Sequence, residues 1–275
     1  MSTDDPRFAG IARLYGQVGL ERLRAAHVAV IGIGGVGSWA AEALARSGVG
    51  EISLFDLDDV CVSNTNRQAH ALEGHTGQPK VEVMAQRLRA INPACTVHSV
   101  QDFVTADTLA QYMTEQLDFV VDCIDSVAAK AALIAWCKRR KIGIVTTGGA
   151  GGQIDPTRVE IADLNRTTHD PLASRVRSLL RRDYGFSRNT SRSYSVPCVF
   201  STEQLRYPLP DGGVCLSKSF VGEGVRLDCA GGFGAVMMVT ATFGMAAAAR
   251  AVDKLVAGTR RPSERPKASR LADET

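Results

Sequence analysis

The segment Val30 to Leu44, VIGIGGVGSWAAEAL, leaves this chain few folds to choose from. Before it, His27 to Gly32 is a short apolar run, the pattern of a buried strand. After it, Val36 to Ser47 carries apolar residues at helical spacing. Between them Gly32, Gly34, Gly35 and Gly37 spell GxGGxG. Glycine permits the tight turn and lets backbone approach a phosphate at the helix N-terminus. Tight strand–helix turns also favour glycine, so the motif gains weight only from its setting. Glu51 to Asp56 reads as a second strand and completes a βαβ unit.

The rhythm continues downstream. Helical spacing covers Gly77 to Ile91, stopped by Asn92-Pro93, and Thr96 to Val100 follows as a strand. Thr105 caps a helix expected over Ala106 to Glu115. Asp118 to Asp122 is a strand, Val127 to Lys141 a helix with a cationic end, and Ile142 to Thr147 the next strand. This alternation predicts an α/β fold: a Rossmann-like, doubly wound, mostly parallel sheet with both faces covered. After Gly148 comes a glycine-rich loop and a strand over Thr157 to Ala162, then an irregular stretch to about Val225, which reads as an irregular α+β C-terminal extension. A length of 275 residues with 45% hydrophobic content suits one large domain over 1–257. Its nucleotide-binding core is expected at about 27–150 and a substrate or dimer part at about 151–257, with a disordered basic tail over 258–275.

Carboxylates and cations follow the glycines. Asp56 ends the second strand 19 residues after Gly37, where an acid accepts hydrogen bonds from ribose hydroxyls. Asp58 is a second candidate at the same place. Arg67 and Lys80 come next, and either could meet phosphates, Arg as a planar fork and Lys as a point charge. Asn64 and Gln68 could orient a substrate or the α-phosphate. A nicotinamide oxidoreductase, the reading from the glycines alone, gives Arg67 and Lys80 no task. Asp122 and Asp125 flank the end of the fourth strand, where ligands sit in open α/β sheets. Asp125 is the preferred Mg2+ ligand, because Asp122 still belongs to the strand; a helix cap at Asp125 or Ser126 is the structural alternative.

Seven cysteines, an odd number with irregular spacing and no CxxC pair, point to a reduced cytoplasmic protein without a cysteine zinc site. Cys123 reads as core, and Cys198 and Cys229 as the reactive candidates. Cys229 to Ala249 has no charged residue, but its Gly, Ala and Thr content favours a buried or interfacial helix over a membrane span. Arg175, Arg177, Arg181, Arg182, Arg188 and Arg192, interleaved with Tyr184 and Phe186, suit either RNA contact or a solvated loop.

The pattern GxGGxG, DxDxVxxSNxxRQ and GxxK, here Gly32–Gly37, Asp56–Gln68 and Gly77–Lys80, resembles the ubiquitin-activating-enzyme-like superfamily. Longer segments, among them DLDDVCVSNTNRQAHAL, VTTGGAGGQIDPT and CVFSTE, are similar to its branch that dehydrates N6-threonylcarbamoyladenosine next to the tRNA anticodon. That resemblance spans roughly residues 7 to 255. It implies ATP and Mg2+ as cofactors, carboxylate activation as an acyl-adenylate, and intramolecular ring closure that expels AMP. Arg67, Lys80 and a metal at Asp125 would offset charge at the α-phosphate. It also implies a homodimer in which Arg13, with Arg7 second, reaches the partner's ATP. A cysteine desulfurase and its sulfur-acceptor protein are implied as further partners. The alternative within the superfamily is an adenylyltransferase acting on the C-terminal glycine of a sulfur-carrier protein, whose members commonly carry CxxC zinc ligands that this chain lacks.

Overall fold

The computed structural model describes residues 5–113, 116–209, 211–216 and 233–258. Its elements are α1 (Ala9–Ala25), β1 (His27–Ile31), α2 (Gly37–Arg46), β2 (Glu51–Phe55), α3 (Lys80–Ile91), β3 (Thr96–Val100), α4 (Leu109–Tyr112), β4 (Phe119–Asp122), α5 (Val127–Arg140), β5 (Gly143–Thr147), β6 (Val159–Asp163), α6 (Pro171–Asp183), β7 (Pro197–Ser201), the short pair β8 (Tyr207–Pro208) and β9 (Val214–Cys215), and α7 (Met237–Ala257). Seven strands form one sheet in the order β3-β2-β1-β4-β5-β7-β6. All neighbours are parallel except β6, which runs antiparallel to β7 at the edge. The order reverses between β1 and β4, the switch point at which such sheets hold ligands beyond their carboxyl ends.

Two cores follow from strand alternation. Val28, Val30, Ile52, Leu54 and Val121 face one side, against Leu44 of α2, Met84 of α3 and Phe243 of α7. Ala29, Ile31, Val120 and Ile144 face the other, against Leu133 of α5 and Val176 of α6. Burial on both faces is why β1 reads as an unbroken apolar run. Helix α7 crosses α2 closely: a Cβ on Gly244 would lie 2.4 Å from the Val36 carbonyl oxygen.

Several expected elements shift for identifiable reasons. Helix α3 begins at Lys80 rather than Gly77, because Gly77 takes φ +82° and Pro79 is extended. Only one turn of the helix expected over 106–115 forms; Thr105 Oγ1 still accepts from Thr108 N–H at 3.3 Å, and Glu115 lies outside the described residues. The stretch expected to be irregular contains α6 and β7. The Asp170-Pro171 pair announces α6: Asp170 accepts from Ala173 N–H at 2.8 Å and proline occupies the first turn. Helix α1 was not anticipated at all. Gly16 interrupts it at φ +77°, which breaks the apolar periodicity that would have marked it.

For α7, no helix among the described residues is long and apolar enough to cross a membrane. The tail expected to be disordered lies outside the described residues beyond Gly258.

Candidate nucleotide site

The glycine loop is closed by its own backbone. Gly32 takes φ +86° at the end of β1 and donates its N–H to the Phe55 carbonyl at 2.8 Å. A Cβ on Gly37 would stand 1.8 Å from the Gly32 carbonyl oxygen, so only glycine fits there. Space beside Gly34 is open, which leaves backbone accessible at the start of α2. Gly35 lies under the Arg67 side chain, whose Cγ would be 3.1 Å from an added Cβ.

Asp56 joins this loop to β2. Its Oδ2 accepts from Ile33 N–H at 2.7 Å and its Oδ1 from Asp58 N–H at 3.0 Å. Carboxylate oxygens have about four lone-pair sites, so two directions stay available to ribose hydroxyls. Burial raises the Asp56 carboxyl above its ordinary range, against the pull of Lys80 and the two N–H donors. Lys80 is buried at the start of α3, with Nζ 2.7 Å from Asp58 Oδ2 and 3.9 Å from Asp56 Oδ1. The sequence placed the acids at the ribose and Lys80 at the phosphates; in the structure the three charges form one cluster.

Arg67 stands across the loop. Its carbonyl accepts from Trp39 Nε1 at 2.9 Å, and its guanidinium donates to Ser63 O at 3.0 Å and Asn66 Oδ1 at 2.9 Å. Asn66 in turn donates to Ala235 O at 2.7 Å, tying this turn to the segment that leads into α7. Asn64 and Gln68 are buried. Asn64 Oδ1 accepts from Cys61 N–H at 3.0 Å, so this oxygen shapes the turn. Gln68 Oε1 is buried with no hydrogen-bond partner among the described residues, an acceptor left for a donor to approach.

At the neighbouring strand ends, Asp122 and Asp125 separate by role. Asp122 is fully buried, bridged to Lys130 Nζ at 2.9 Å and to Thr146 Oγ1 at 2.6 Å. Asp125 is exposed between β4 and α5 and has no ion pair or hydrogen bond among the described residues. Ser126 is the N-cap of α5 but makes no side-chain cap bond, so the helix-cap alternative does not apply. An exposed carboxylate with all its lone pairs available suits a hard, oxygen-seeking cation.

A second glycine loop, after β5, is pinned by two acids that the sequence reading passed over. Asp170 Oδ2 accepts from Gly149 N–H at 2.9 Å, and a Cβ on Gly148 would meet that oxygen. Glu203 accepts from Ile154 N–H at 3.0 Å and Asp155 N–H at 2.8 Å. The spacing from GGAGGQID to STE carries no pattern that pairs them; only the fold does.

A family model for the ThiF family matches residues 8–271. The chain belongs to the ThiF family. The tRNA threonylcarbamoyladenosine dehydratase of Escherichia coli K12 is 57% identical over 251 residues, covering 91% of this chain and 94% of the relative. A solved structure of the E. coli tRNA N6-threonylcarbamoyladenosine dehydratase in complex with ATP superimposes with a TM-score of 0.81 at 52% identity, over 94% of this chain and 98% of that one. The molybdopterin-synthase adenylyltransferase of E. coli K12 is 38% identical, but over 46% of this chain and 51% of its own length.

In this ThiF-family chain two sequence expectations need correction. Cys198 is not a reactive candidate: it is fully buried in β7, and burial drives its thiol far up from its ordinary value. Cys229 lies outside the described residues. Cys123 is partly buried and packs against the core, its thiol pushed up to about 12 by burial. Among the arginines, Arg181 is committed to structure, donating to Tyr194 Oη at 2.9 Å and Asn165 Oδ1 at 2.7 Å. Arg182 pairs with Asp183 at 2.7 Å, whereas Arg188 and Arg192 are exposed without an ion pair among the described residues. At the N-terminus Arg7 is paired with Asp5 at 2.8 Å, while Arg13 is exposed on α1.

Proposed function

We propose that this chain is an ATP-dependent tRNA threonylcarbamoyladenosine dehydratase. The observation that carries this reading is its near end-to-end likeness to a dehydratase solved with ATP. The molybdopterin-synthase adenylyltransferase matches only 46% of the chain. The residues suit the chemistry. A carboxylate is a poor electrophile, so its oxygen attacks the α-phosphorus of ATP and pyrophosphate leaves. A nucleophilic atom of the same modified base then closes the ring on the acyl carbon, and AMP departs with the carboxylate oxygen. The net loss is one water. Ring closure within one molecule needs no covalent enzyme intermediate.

In this reading the glycine loop holds the phosphates at the start of α2, and Asp56 takes the ribose. Arg67 and Lys80 stabilise charge on the phosphates. Gln68 Oε1 accepts from the substrate. Asp125 would hold Mg2+, which when bound supplies charge neutralisation to the phosphate oxygens. Arg13 acts in trans within a homodimer; its exposure beside Leu14 and Val18, which are 73% and 61% exposed, fits a surface that a second copy covers. Partnership with a cysteine desulfurase and its sulfur acceptor rests on the family resemblance alone, and the cytoplasmic location on the number and spacing of the cysteines.

The test is direct. With ATP, Mg2+ and tRNA bearing the modified base, the nucleoside mass should fall by one water and AMP should appear. An unchanged nucleoside together with ATP–pyrophosphate exchange that depends on a small Gly-Gly-ended protein would replace this reading with the carrier-activating one.

A further inference from the structure

At the opposite end of the sheet from the glycine loop, three metal-ligating side chains converge. His27 opens β1, Glu51 opens β2, and His98 lies in the middle of β3. Parallel register sets His27 beside Glu51, and Ser53 beside His98. Residues two apart on a strand share a face, so Glu51 and Ser53 point the same way. The result is one cluster on the face that carries Ala29 and Ile31. Helix α4, which packs Tyr112 against Phe55 on this face at 5.5 Å between ring centroids, is a single turn. The end of the face at His98 and Glu51 is therefore open to solvent, their side chains 48% and 36% exposed.

One ligand atom from each residue lies within 4.8 Å of the other two. Glu51 Oε1 is 2.9 Å from His98 Nε2 and 3.5 Å from His27 Nδ1. Two imidazole nitrogens thus face a single carboxylate oxygen. The other nitrogen of His27, Nε2, is 2.8 Å from Ser53 Oγ. A hydroxyl accepting from Nε2–H fixes the tautomer whose Nδ1 carries the lone pair, the outer-shell arrangement found behind metal-bound histidines. The backbone N–H of His27 donates to Asp118 Oδ2 at 2.8 Å, which holds that strand end in place.

We propose that His27 Nδ1, Glu51 Oε1 and His98 Nε2 form a binding site for a borderline divalent cation of the Zn2+ type. Two imidazoles and one carboxylate are a three-ligand set known for zinc, with water completing the tetrahedron. The ion clasps the amino ends of β1, β2 and β3 and fixes the edge strand β3. It lies about 15 Å along β1 from the glycine loop, taking about 3.3 Å per residue, and takes no part in the reaction at the other end. The alternative role for the cluster is a plain histidine–carboxylate hydrogen bond, which needs no ion.

The two are separated by titrating Co2+, as an optical stand-in for Zn2+, into the untagged full-length chain after dialysis against chelator. The site requires one Co2+ per chain with a visible d–d band of low-symmetry coordination, displaced by Zn2+, and a melting temperature raised by Zn2+. His98→Ala, a change at a half-exposed side chain, abolishes the band. Ser53→Ala, which removes only the hydroxyl bonded to His27 Nε2, weakens binding by about tenfold or more. Binding weakens as pH falls through the histidine range, because protonated imidazole cannot ligate. A wild-type chain that takes up no Co2+ overturns the proposal. So does a band of equal strength in His98→Ala, or a thiolate charge-transfer band placing the ion on cysteine.

Discussion

At the scale of single residues, the candidate site is a competition between burial and charge. Arg67 is the cation whose removal disturbs structure least, because its guanidinium bonds only the Ser63 carbonyl and Asn66 Oδ1, both at the surface. Arg67→Ala should lower ATP-dependent AMP formation by about 10²–10³-fold, the usual loss when one preorganised donor to developing charge is removed. Its melting temperature should stay close to wild type. A second buried group, His70, has both ring nitrogens without hydrogen-bond partners among the described residues, and burial together with Lys80, His75 and Arg87 pushes it down to about 4. A base with a lowered folded value is bound by fewer protons when folded, so its stability contribution is present above the ordinary histidine value of 6.5 and lost as pH falls toward 4. The loss amounts to about 3.5 kcal/mol at most, from about 1.4 kcal/mol per pH unit. Urea unfolding at pH 7 and pH 4 should show His70→Gln losing less stability on acidification than wild type. These residues differ in legibility. Asp56, Arg67 and Lys80 stood out because each is a charge at a motif position, whereas His70 sits inside NRQAHAL with nothing to mark it as buried.

At the scale of elements, the strands and helices with one clear period were legible, and those set by a neighbour were not. β1, β2, β3 and α5 fall within one residue of their expected ends. Helix α6 was hidden because its arginines drew attention from the Ala173, Val176 and Leu180 stripe that it buries. Helix α7 takes its place from contact with α2. Gly244→Val should cost about 1–3 kcal/mol of stability, as overpacking does, because the new side chain collides with the Val36 carbonyl and Ala40 backbone. Chemical denaturation measures it directly; a variant as stable as wild type would show that the crossing relaxes freely. The same crossing brings Thr240 to 3.4 Å from a Cβ on Gly35, so α7 also backs the glycine loop.

At the scale of the whole molecule, the two ends of the sheet carry different sets of charged side chains. The carboxyl ends of β1, β2 and β4 gather Asp56, Lys80, Arg67 and Asp125 around the glycine loop. Lys138 of α5 and Arg192 of the loop after α6 line one surface hollow with Tyr184 and Phe186, Arg139 lies over the Tyr184 ring, and Arg188 is exposed in the same loop. If tRNA lies along it, Arg188→Ala with Arg192→Ala should weaken tRNA binding and flatten the slope of log affinity against log salt by about one unit per lost phosphate contact. An unchanged slope, read by fluorescence anisotropy across a salt series, would remove this surface from the tRNA path. By itself the sequence determined the fold class, the glycine turn between β1 and α2, and which charged residues follow that turn. Those are local properties: strand and helix periods, a turn that only glycine can make, and charges at fixed offsets from it. Only the tertiary structure decided that Asp122 is spent on Lys130 while Asp125 faces solvent, and that Cys198 is sealed in the core. It alone decided that Asp170 and Glu203 hold the second glycine loop, and that His27, Glu51 and His98 meet. Each of those outcomes depends on which strands become neighbours, and long-range pairing leaves no period in the chain to read.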